Sequence, residues 1–186
     1  MHERIAKPFI EAFVAAVRGF RIGDPLDPET YIGPLARNEQ RAVLERQVAD
    51  ALGKGARLLC GGKRIDRKGY YFQPTVLVDA IPSMEVMREE SFGPIIGIQA
   101  VRDDREAVLL MNDTEYGLTA GVYSKDRERA EKILARINAG TVYWNCCDRV
   151  SPRLPWSGRG HSGIGTTLST CGIQTFLQPK AWHLRG

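Results

Sequence analysis

Apolar, strand-like runs and amphipathic, helix-like runs alternate along the second half of the sequence. In chain order they are a strand at 94–101, a helix at 104–112, a strand at 119–124, a helix at 126–138 and a strand at 141–145. Asp126 is a typical helix N-cap, and Gly140 stands where the preceding helix has to end. Strands joined by a crossover helix run in the same direction. The pattern therefore predicts an α/β fold with a largely parallel sheet flanked by helices.

The first half adds two predicted helices and two predicted strands, at 6–18, 38–52, 57–60 and 71–78. Gly53 and Gly55 form the stop of the second helix. Pro74 indicates that its strand either lies at a sheet edge or begins there. Residues 174–183 are a last extended piece, so the expected fold includes an extended C-terminal strand. The sequence contains no internal repeat and no linker, which favours a single domain.

Charge and composition exclude several classes of protein. The net charge is +4, but 26 basic residues are interleaved with 22 acidic ones and form no dense basic run, so we expect no nucleic acid partner. No apolar run approaches the roughly 20 residues that span a bilayer, and the N-terminal residues do not resemble a secretory signal. We therefore expect no membrane association and a cytoplasmic location. The 4 cysteines form no C-x-x-C pair, so reduced thiols are expected.

Glu89–Pro94 stands directly before an apolar strand. The Glu90 carboxylate can accept hydrogen bonds from two neighbouring sugar hydroxyls, and Phe92 can lie against a flat heterocycle. The alternative interpretation makes Glu90 a solvated loop residue and Phe92 part of the core. The residues alone leave both interpretations open.

A second candidate is the 145–156 loop, which leaves the C-terminal end of a predicted parallel strand, where α/β sheets bind ligands. Trp156 can form the wall of an apolar pocket, and Arg149 and Arg153 can meet an anion. Trp156 can equally be an ordinary side chain that ties the loop to the core. The glycine-rich segment 157–165 is interpreted as a structural turn, because it lacks the strand and helix that surround a dinucleotide-binding loop.

The sequence provides no convincing metal site or catalytic group. Cys146, Cys147 and His161 lack a fourth ligand at usable spacing. A Cys/His nucleophile pair needs a thiol of lowered pKa, which a sequence does not show. We therefore assign no metal ligand and no catalytic residue.

Taken together, these motifs resemble the aldehyde dehydrogenase family across nearly the whole chain. The matching segments, in order, are 33–35, 55–62, 70–76, 89–94, 112–126, 140–145 and 155–163. The segment 89–94 resembles the family's E-E-x-F-G-P motif. The order and spacing of the segments make the resemblance highly specific, and they imply the catalytic-domain fold of that family.

The resemblance implies an NAD(P)-dependent oxidation of an aldehyde to a carboxylic acid. By it, Glu90 holds the nicotinamide ribose and Phe92 packs beside the nicotinamide, with NAD or NADP as the cofactor. Val150 and Trp156 lie near the substrate entrance, and Arg149 borders the same pocket. Arg149, Arg153 and Arg159 together suggest an anionic aldehyde.

The resemblance also implies that important parts lie outside these residues. In the family, the nucleophilic cysteine and the glutamate base stand upstream of the position that matches Met1, so we expect the isolated chain to be inactive. Residues 1–168 then correspond to part of the catalytic domain, and 169–186 to an oligomerisation strand. The expected partners are a second copy of the chain or an N-terminal half of the enzyme. The alternative function is a non-catalytic oligomerisation module or one half of a split enzyme.

Overall fold

The computed structural model describes residues 1–146 and 149–186 and shows a mixed α/β protein. The chain forms two compact units, Met1–Ala107 and Val108–Gly186. The elements of the first unit are α1 (Glu3–Arg18), α2 (Glu39–Gly53), β1 (Arg57–Cys60), β2 (Thr75–Val78), α3 (Glu85–Arg88) and β3 (Ile95–Ile98). A further helix, α4 (Asp104–Asn112), begins in the first unit and ends in the second.

The first unit is built around a three-stranded sheet in the order β1-β2-β3. β2 is antiparallel to β1 and parallel to β3, and all four of its residues are buried. Successive side chains of a strand point to opposite faces. Val76 and Val78 accordingly pack in one cluster with Val14 of α1, whereas Leu77 packs in another with Ala51 of α2. Helices thus cover both faces of the sheet.

Local signals in the sequence explain where the helices of this unit begin and end. α1 starts earlier than predicted because the His2 side chain accepts a hydrogen bond from the backbone N–H of Arg4, which caps the helix. α2 ends at Gly53, and Gly55 adopts a φ of +97° that favours glycine. β2 begins directly after Pro74. Because β2 is central, the prediction of a strand start was right and that of an edge strand was wrong.

The first residues of the chain lie along the continuation of β3. The Met1 amino group donates to the Gln99 carbonyl at 2.6 Å, and the Val101 N–H donates to the Met1 carbonyl at 2.7 Å. His2 and Val101 form a parallel bridge. β3 itself is the last strand of its sheet, so within the described residues its outer edge has no strand partner.

The second unit contains β4 (Thr119–Val122), α5 (Arg127–Leu134), β5 (Thr141–Trp144), β6 (Trp156–Ser157), β7 (Thr166–Thr167) and α6 (Ser169–Gln174). β4 and β5 are parallel, and α5 packs on both strands. The predicted β-α-β unit is therefore confirmed. The Asp126 carboxylate caps α5 by accepting from the Arg129 N–H at 3.0 Å. β6 and β7 form a separate antiparallel pair.

Two features of the predicted fold differ in the structure. The sheet is not largely parallel: in the described residues the strands form three small sheets, with antiparallel pairs β1/β2 and β6/β7. No helix connects β1 to β2, and strands without a crossover helix pair in opposite directions. The predicted strand at 174–183 is also wrong, because residue 174 ends α6 and residues 175–186 form no strand. A strand needs a neighbour to bond its backbone, and the exposed 175–186 segment has none within the described chain.

Among the described helices, none is both long enough and apolar enough to cross a lipid bilayer.

Candidate functional site

The 89–94 loop connects α3 to β3 in the first unit. Glu90 is exposed, and the ring of Phe92 is 76% exposed. The interpretation of Phe92 as a core residue is therefore wrong. Within the described residues, no ion pair or hydrogen bond engages the Glu90 carboxylate. A free carboxylate and an exposed aromatic ring thus stand two residues apart on the surface, which suits a ligand with vicinal hydroxyls and a flat ring.

The backbone of the 89–94 loop is unusual at Phe92, whose φ is +42°. This left-handed conformation is costly for a residue that carries a Cβ, so the surrounding structure has to hold it. The next residue, Gly93, lies against α2. A Cβ at Gly93 would stand 2.5 Å from Cδ1 of the buried Leu44, so a larger residue at 93 would force the Leu44 side chain to move.

Charged side chains of α2 and of Lys54, the residue that follows it, fix α3, the helix that leads into this loop. The Asp50 carboxylate accepts from the Glu85 N–H at 2.8 Å and thereby caps α3 from another helix. Lys54 Nζ lies 2.6 Å from the same carboxylate and donates to the Ser83 carbonyl at 2.6 Å. These two hydrogen bonds hold the pKa of Asp50 below its ordinary value, and the bond from Lys54 has the larger effect. Arg46 Nε adds a 2.8 Å ion pair to Glu85.

The 145–156 loop begins at the C-terminal end of β5, where Asn145 holds the backbone in place. Its amide accepts from the Ser124 N–H at 2.8 Å and donates to the Ser124 carbonyl at 2.9 Å. The side chain thus continues the hydrogen bonding between β4 and β5 one residue beyond the strands. The Asn145 backbone itself leaves the strand conformation, with a φ of +51°. Cys147 and Asp148 lie outside the described residues.

The predicted pocket residues of this loop all belong to the second unit. Val150 is 58% exposed, and Arg149 and Arg153 are exposed as well. The Arg149 carbonyl accepts from the Tyr143 hydroxyl at 3.1 Å, which ties the loop to the buried side chain of Tyr143. Trp156 is half-buried in β6, where it pairs with Thr167. Glu90 and Phe92 lie in the other unit.

The glycine-rich 157–163 loop packs backbone to backbone against two other segments. A Cβ at Gly140 would lie 1.6 Å from the Ser157 carbonyl oxygen, and a Cβ at Gly160 would lie 2.2 Å from that of Glu115. The His161 N–H donates to the Glu115 carbonyl at 2.8 Å. These contacts account for the glycines by packing, in agreement with the interpretation of the segment as a structural turn.

Arg159 is engaged within its own loop. It donates to Ser157 Oγ at 3.1 Å and to the Gly158 carbonyl at 2.8 Å. Of the three arginines that suggested an anionic aldehyde, Arg149 and Arg153 are therefore the better candidates for a ligand contact. In the described part of the chain, no group of three His, Cys, Asp or Glu side chains is arranged to hold a metal ion.

Sequence reasoning missed the polar residues of α2 that support the 89–94 loop. Gln40 is buried, and its Nε2 donates to the Ser91 carbonyl. The signal was present in the sequence, because Gln40 shares a helical spacing with Leu44, Val48 and Ala51, all of which are buried. A polar residue on an otherwise apolar helix face needs a hydrogen-bond partner.

Comparison with known proteins gives a consistent result. Residues 1–182 match the model of the aldehyde dehydrogenase family. The chain is 37% identical over 182 residues to the chloroplastic betaine aldehyde dehydrogenase of Atriplex hortensis, covering 97% of this chain and 36% of that protein. It is 40% identical over 176 residues to the Escherichia coli (strain K12) succinate semialdehyde dehydrogenase Sad, named for NAD(P)+, covering 95% of this chain and 38% of that protein.

Solved structures give the same answer. The betaine aldehyde dehydrogenase of Staphylococcus aureus in complex with NAD+ matches with a TM-score of 0.92 and 33% identity, covering 96% of this chain and 37% of that one. PnpE from Pseudomonas sp. WBC-3 matches with a TM-score of 0.89 and 38% identity, covering 94% and 37% respectively. The chain thus spans between a third and two-fifths of the length of these relatives. Motifs, fold and comparisons agree, and the chain belongs to the aldehyde dehydrogenase family.

Proposed function

We propose that this chain supplies part of the cofactor site and part of the substrate entrance of an NAD(P)-dependent aldehyde dehydrogenase, which oxidises an aldehyde to a carboxylic acid. The observation that carries the proposal is the 89–94 loop, which presents a free Glu90 carboxylate and an exposed Phe92 ring two residues apart. Family membership and the cofactors named for relatives support the same conclusion.

In this proposal Glu90 and Phe92 bind different parts of the nicotinamide half of the cofactor. A bound NAD or NADP would supply the hydride acceptor that the oxidation requires. The Glu90 carboxylate would accept hydrogen bonds from the two ribose hydroxyls, and the Phe92 ring would pack beside the nicotinamide. The nucleophile and the general base are not supplied by residues 1–186, so this chain alone should not turn over.

For the second unit we propose a role on the substrate side. Val150 and Trp156 contribute apolar surface, and Arg149 meets a negative charge on the aldehyde. Support comes from the exposed guanidinium of Arg149, whose backbone is fixed through the Tyr143 hydroxyl. A cation at this position favours an anionic aldehyde such as a semialdehyde acid.

The test uses a hybrid enzyme in which residues 1–186 replace the matching C-terminal segment of the Escherichia coli relative. We expect the hybrid to reduce NAD+ or NADP+ in the presence of an aldehyde, whereas residues 1–186 alone should not. Glu90→Gln in the hybrid should raise the cofactor KM by about tenfold, as expected for loss of charge-assisted hydrogen bonds. Glu89→Gln removes a neighbouring exposed carboxylate and is the matched control.

A hybrid whose cofactor KM responds equally to both substitutions would contradict the assignment of Glu90. Turnover by residues 1–186 alone would overturn the proposed absence of the reacting groups. For the substrate side, Arg149→Ala should raise the KM for an anionic aldehyde and leave that for an uncharged one unchanged. An equal change for both aldehydes would refute the role of Arg149.

We also propose, as a second candidate, that the chain acts as an oligomerisation module or as one half of a split enzyme. Residues 169–186, which comprise α6 and the exposed segment after it, would be its oligomerisation segment, and 1–168 the catalytic part. The observation in favour is a group of exposed large apolar side chains near the C-terminus: Ile173, Phe176, Leu177, Trp182 and Leu184. Co-expression with a separate N-terminal half should restore activity if the chain is a split subunit, and should not if it is a structural module.

A further inference from the structure

Gln40 of α2 makes a hydrogen bond to the middle of the 89–94 loop. Gln40 is only 7% exposed, and its Nε2 donates to the carbonyl of Ser91, the residue between Glu90 and Phe92. A carbonyl oxygen can only accept, so the amide nitrogen has to face it. The bond therefore fixes the peptide that links the two proposed cofactor-binding residues.

α2 also contacts the loop at a second point, one helical turn further on. Leu44 is fully buried and packs where Gly93 passes, with space for no Cβ on the glycine. Gln40 and Leu44 are four residues apart and therefore lie on the same face of the helix. One helix face thus holds Ser91 by a hydrogen bond and Gly93 by close packing.

The middle of the loop needs this support more than its ends do. The Glu89 N–H donates to the Glu85 carbonyl at 2.8 Å, and the Pro94 carbonyl accepts from the Thr75 N–H at 2.8 Å, so both ends are tied to regular elements. Between them, Phe92 holds a φ of +42°, which persists only where neighbouring contacts enforce it. The Gln40 bond acts on the residue directly before Phe92.

We infer that Gln40 is a positioning residue for the nicotinamide half of the cofactor: through the Ser91 carbonyl it sets the backbone from which Glu90 and Phe92 project. The inference rests on the proposed function for the identity of the ligand. The position of the loop itself depends only on contacts within the first unit.

The same helix offers a matched control. Gln47 is fully buried two turns further along α2, but in the described residues neither atom of its amide has a hydrogen-bond partner. Replacing Gln47 by methionine keeps the shape and removes no bond, whereas Gln40→Met removes the donor to Ser91. A general effect of changing a buried glutamine in α2 should appear in both variants.

The first experiment measures the order of the loop in the full 186-residue chain. A glutamate-specific protease cuts after Glu89 and Glu90 when the loop opens, and after Glu45 only when α2 unfolds. Gln40→Met should speed the cuts after Glu89 and Glu90 by about three- to tenfold, the population change expected for one lost hydrogen bond. The rate after Glu45 should stay the same, and Gln47→Met should change none of the three.

The second experiment measures kinetics in the hybrid enzyme. Gln40→Met should raise the cofactor KM by about three- to tenfold and leave the aldehyde KM unchanged, whereas a general loss of structure would reduce the amount of active enzyme. Gln40→Glu can donate to Ser91 only while its carboxyl is protonated. Its cofactor KM, relative to the unsubstituted hybrid at each pH, should therefore fall towards acid pH.

The outcomes separate this inference from the proposed function. Unchanged cleavage after Glu89 and Glu90 in Gln40→Met overturns the positioning role. Faster cleavage with an unchanged cofactor KM, in a hybrid whose KM does respond to Glu90→Gln, overturns the link from Gln40 to the cofactor. A hybrid whose KM ignores Glu90→Gln contradicts the proposed function, while the cleavage rates still decide whether Gln40 holds the loop.

Discussion

Phe92 carries a large exposed ring on a backbone that would suit glycine better. Its φ is +42° and its side chain is 76% exposed, and each of these is unusual for a phenylalanine. A residue kept in a costly conformation while its side chain faces solvent contributes little to the core. Its ring is therefore expected to matter for what binds to the surface.

The backbone cost at Phe92 can be measured by comparing two substitutions. Phe92→Ala removes the ring but keeps a Cβ, whereas Phe92→Gly removes both. The glycine variant should be more stable than the alanine variant by about 0.5–1 kcal/mol, since only glycine adopts a positive φ freely. Urea unfolding followed by circular dichroism gives the difference. Equal stabilities would show that the loop carries no such strain.

Among the helices and strands, those with strong local signals follow the predictions closely. β1 and α4 occupy the predicted ranges, and Asp126 caps α5 as its sequence position indicates. α5 nevertheless ends at Leu134, four residues earlier than predicted. The antiparallel β6/β7 pair and the short α3 were not predicted, because two- and four-residue elements have too few positions to show a periodicity.

The sequence predicts residues for the candidate site but not the contacts that support them. Glu90 and Phe92 are proposed from a motif whose residues lie close together in the sequence. Gln40 is 51 residues away in sequence from its partner Ser91, and Asp50 is 35 residues away from its partner Glu85. Only the folded chain brings each pair into contact. The helical spacing of Gln40 marks it as a buried polar residue that needs a partner, but the identity of that partner depends on tertiary contacts.

The β4/β5 pair depends on the side chain of Asn145, which bonds the Ser124 backbone twice. Asn145→Gly should destabilise the protein by about 1–2 kcal/mol, because two hydrogen bonds are lost while glycine accepts the φ of +51°. Asn145→Ala should cost more, since it adds backbone strain. Chemical denaturation of the three proteins tests the order, and an alanine variant as stable as the glycine variant would contradict it.

The connection between α2 and α3 should weaken in acid. The folded pKa of Asp50 is lowered by the Lys54 and Glu85 bonds, so its stabilising effect is present above the ordinary carboxyl pKa of about 3.9 and is lost as pH falls through the folded pKa. At neutral pH the unsubstituted protein should have a higher free energy of unfolding than Asp50→Asn. The difference between the two should become smaller in acid. Urea unfolding at several pH values measures it. A gap that is the same at neutral and acid pH would refute the coupling.

At the scale of the whole molecule, the apolar side chains near the C-terminus stand out. Phe176 is 89% exposed and Trp182 72% exposed, in a segment without regular structure. Exposed apolar side chains of this size within one short segment suit contact with another chain. We therefore propose that residues 175–186 contact another chain in the assembled protein.

Replacing Phe176 and Trp182 by serine should lower the molecular mass of the hybrid enzyme in solution, because the apolar contacts between copies are lost. Size-exclusion chromatography with light scattering measures the mass. Leu26, which is 91% exposed in a turn of the first unit, provides the control: Leu26→Ser should leave the mass unchanged. An unchanged mass for the double variant would argue against an oligomerisation segment.

The pairing of Met1 and His2 with residues 99–101 has a practical consequence for producing the chain. The pairing is parallel, so a purification tag fused to the Met1 amino group would run back beside Ile98 and Ile96, along the outer edge of β3. A tag rich in β-branched residues could dock there as an additional strand and alter the association of the protein. A flexible glycine-serine spacer or a charged leader at this end would keep that edge accessible.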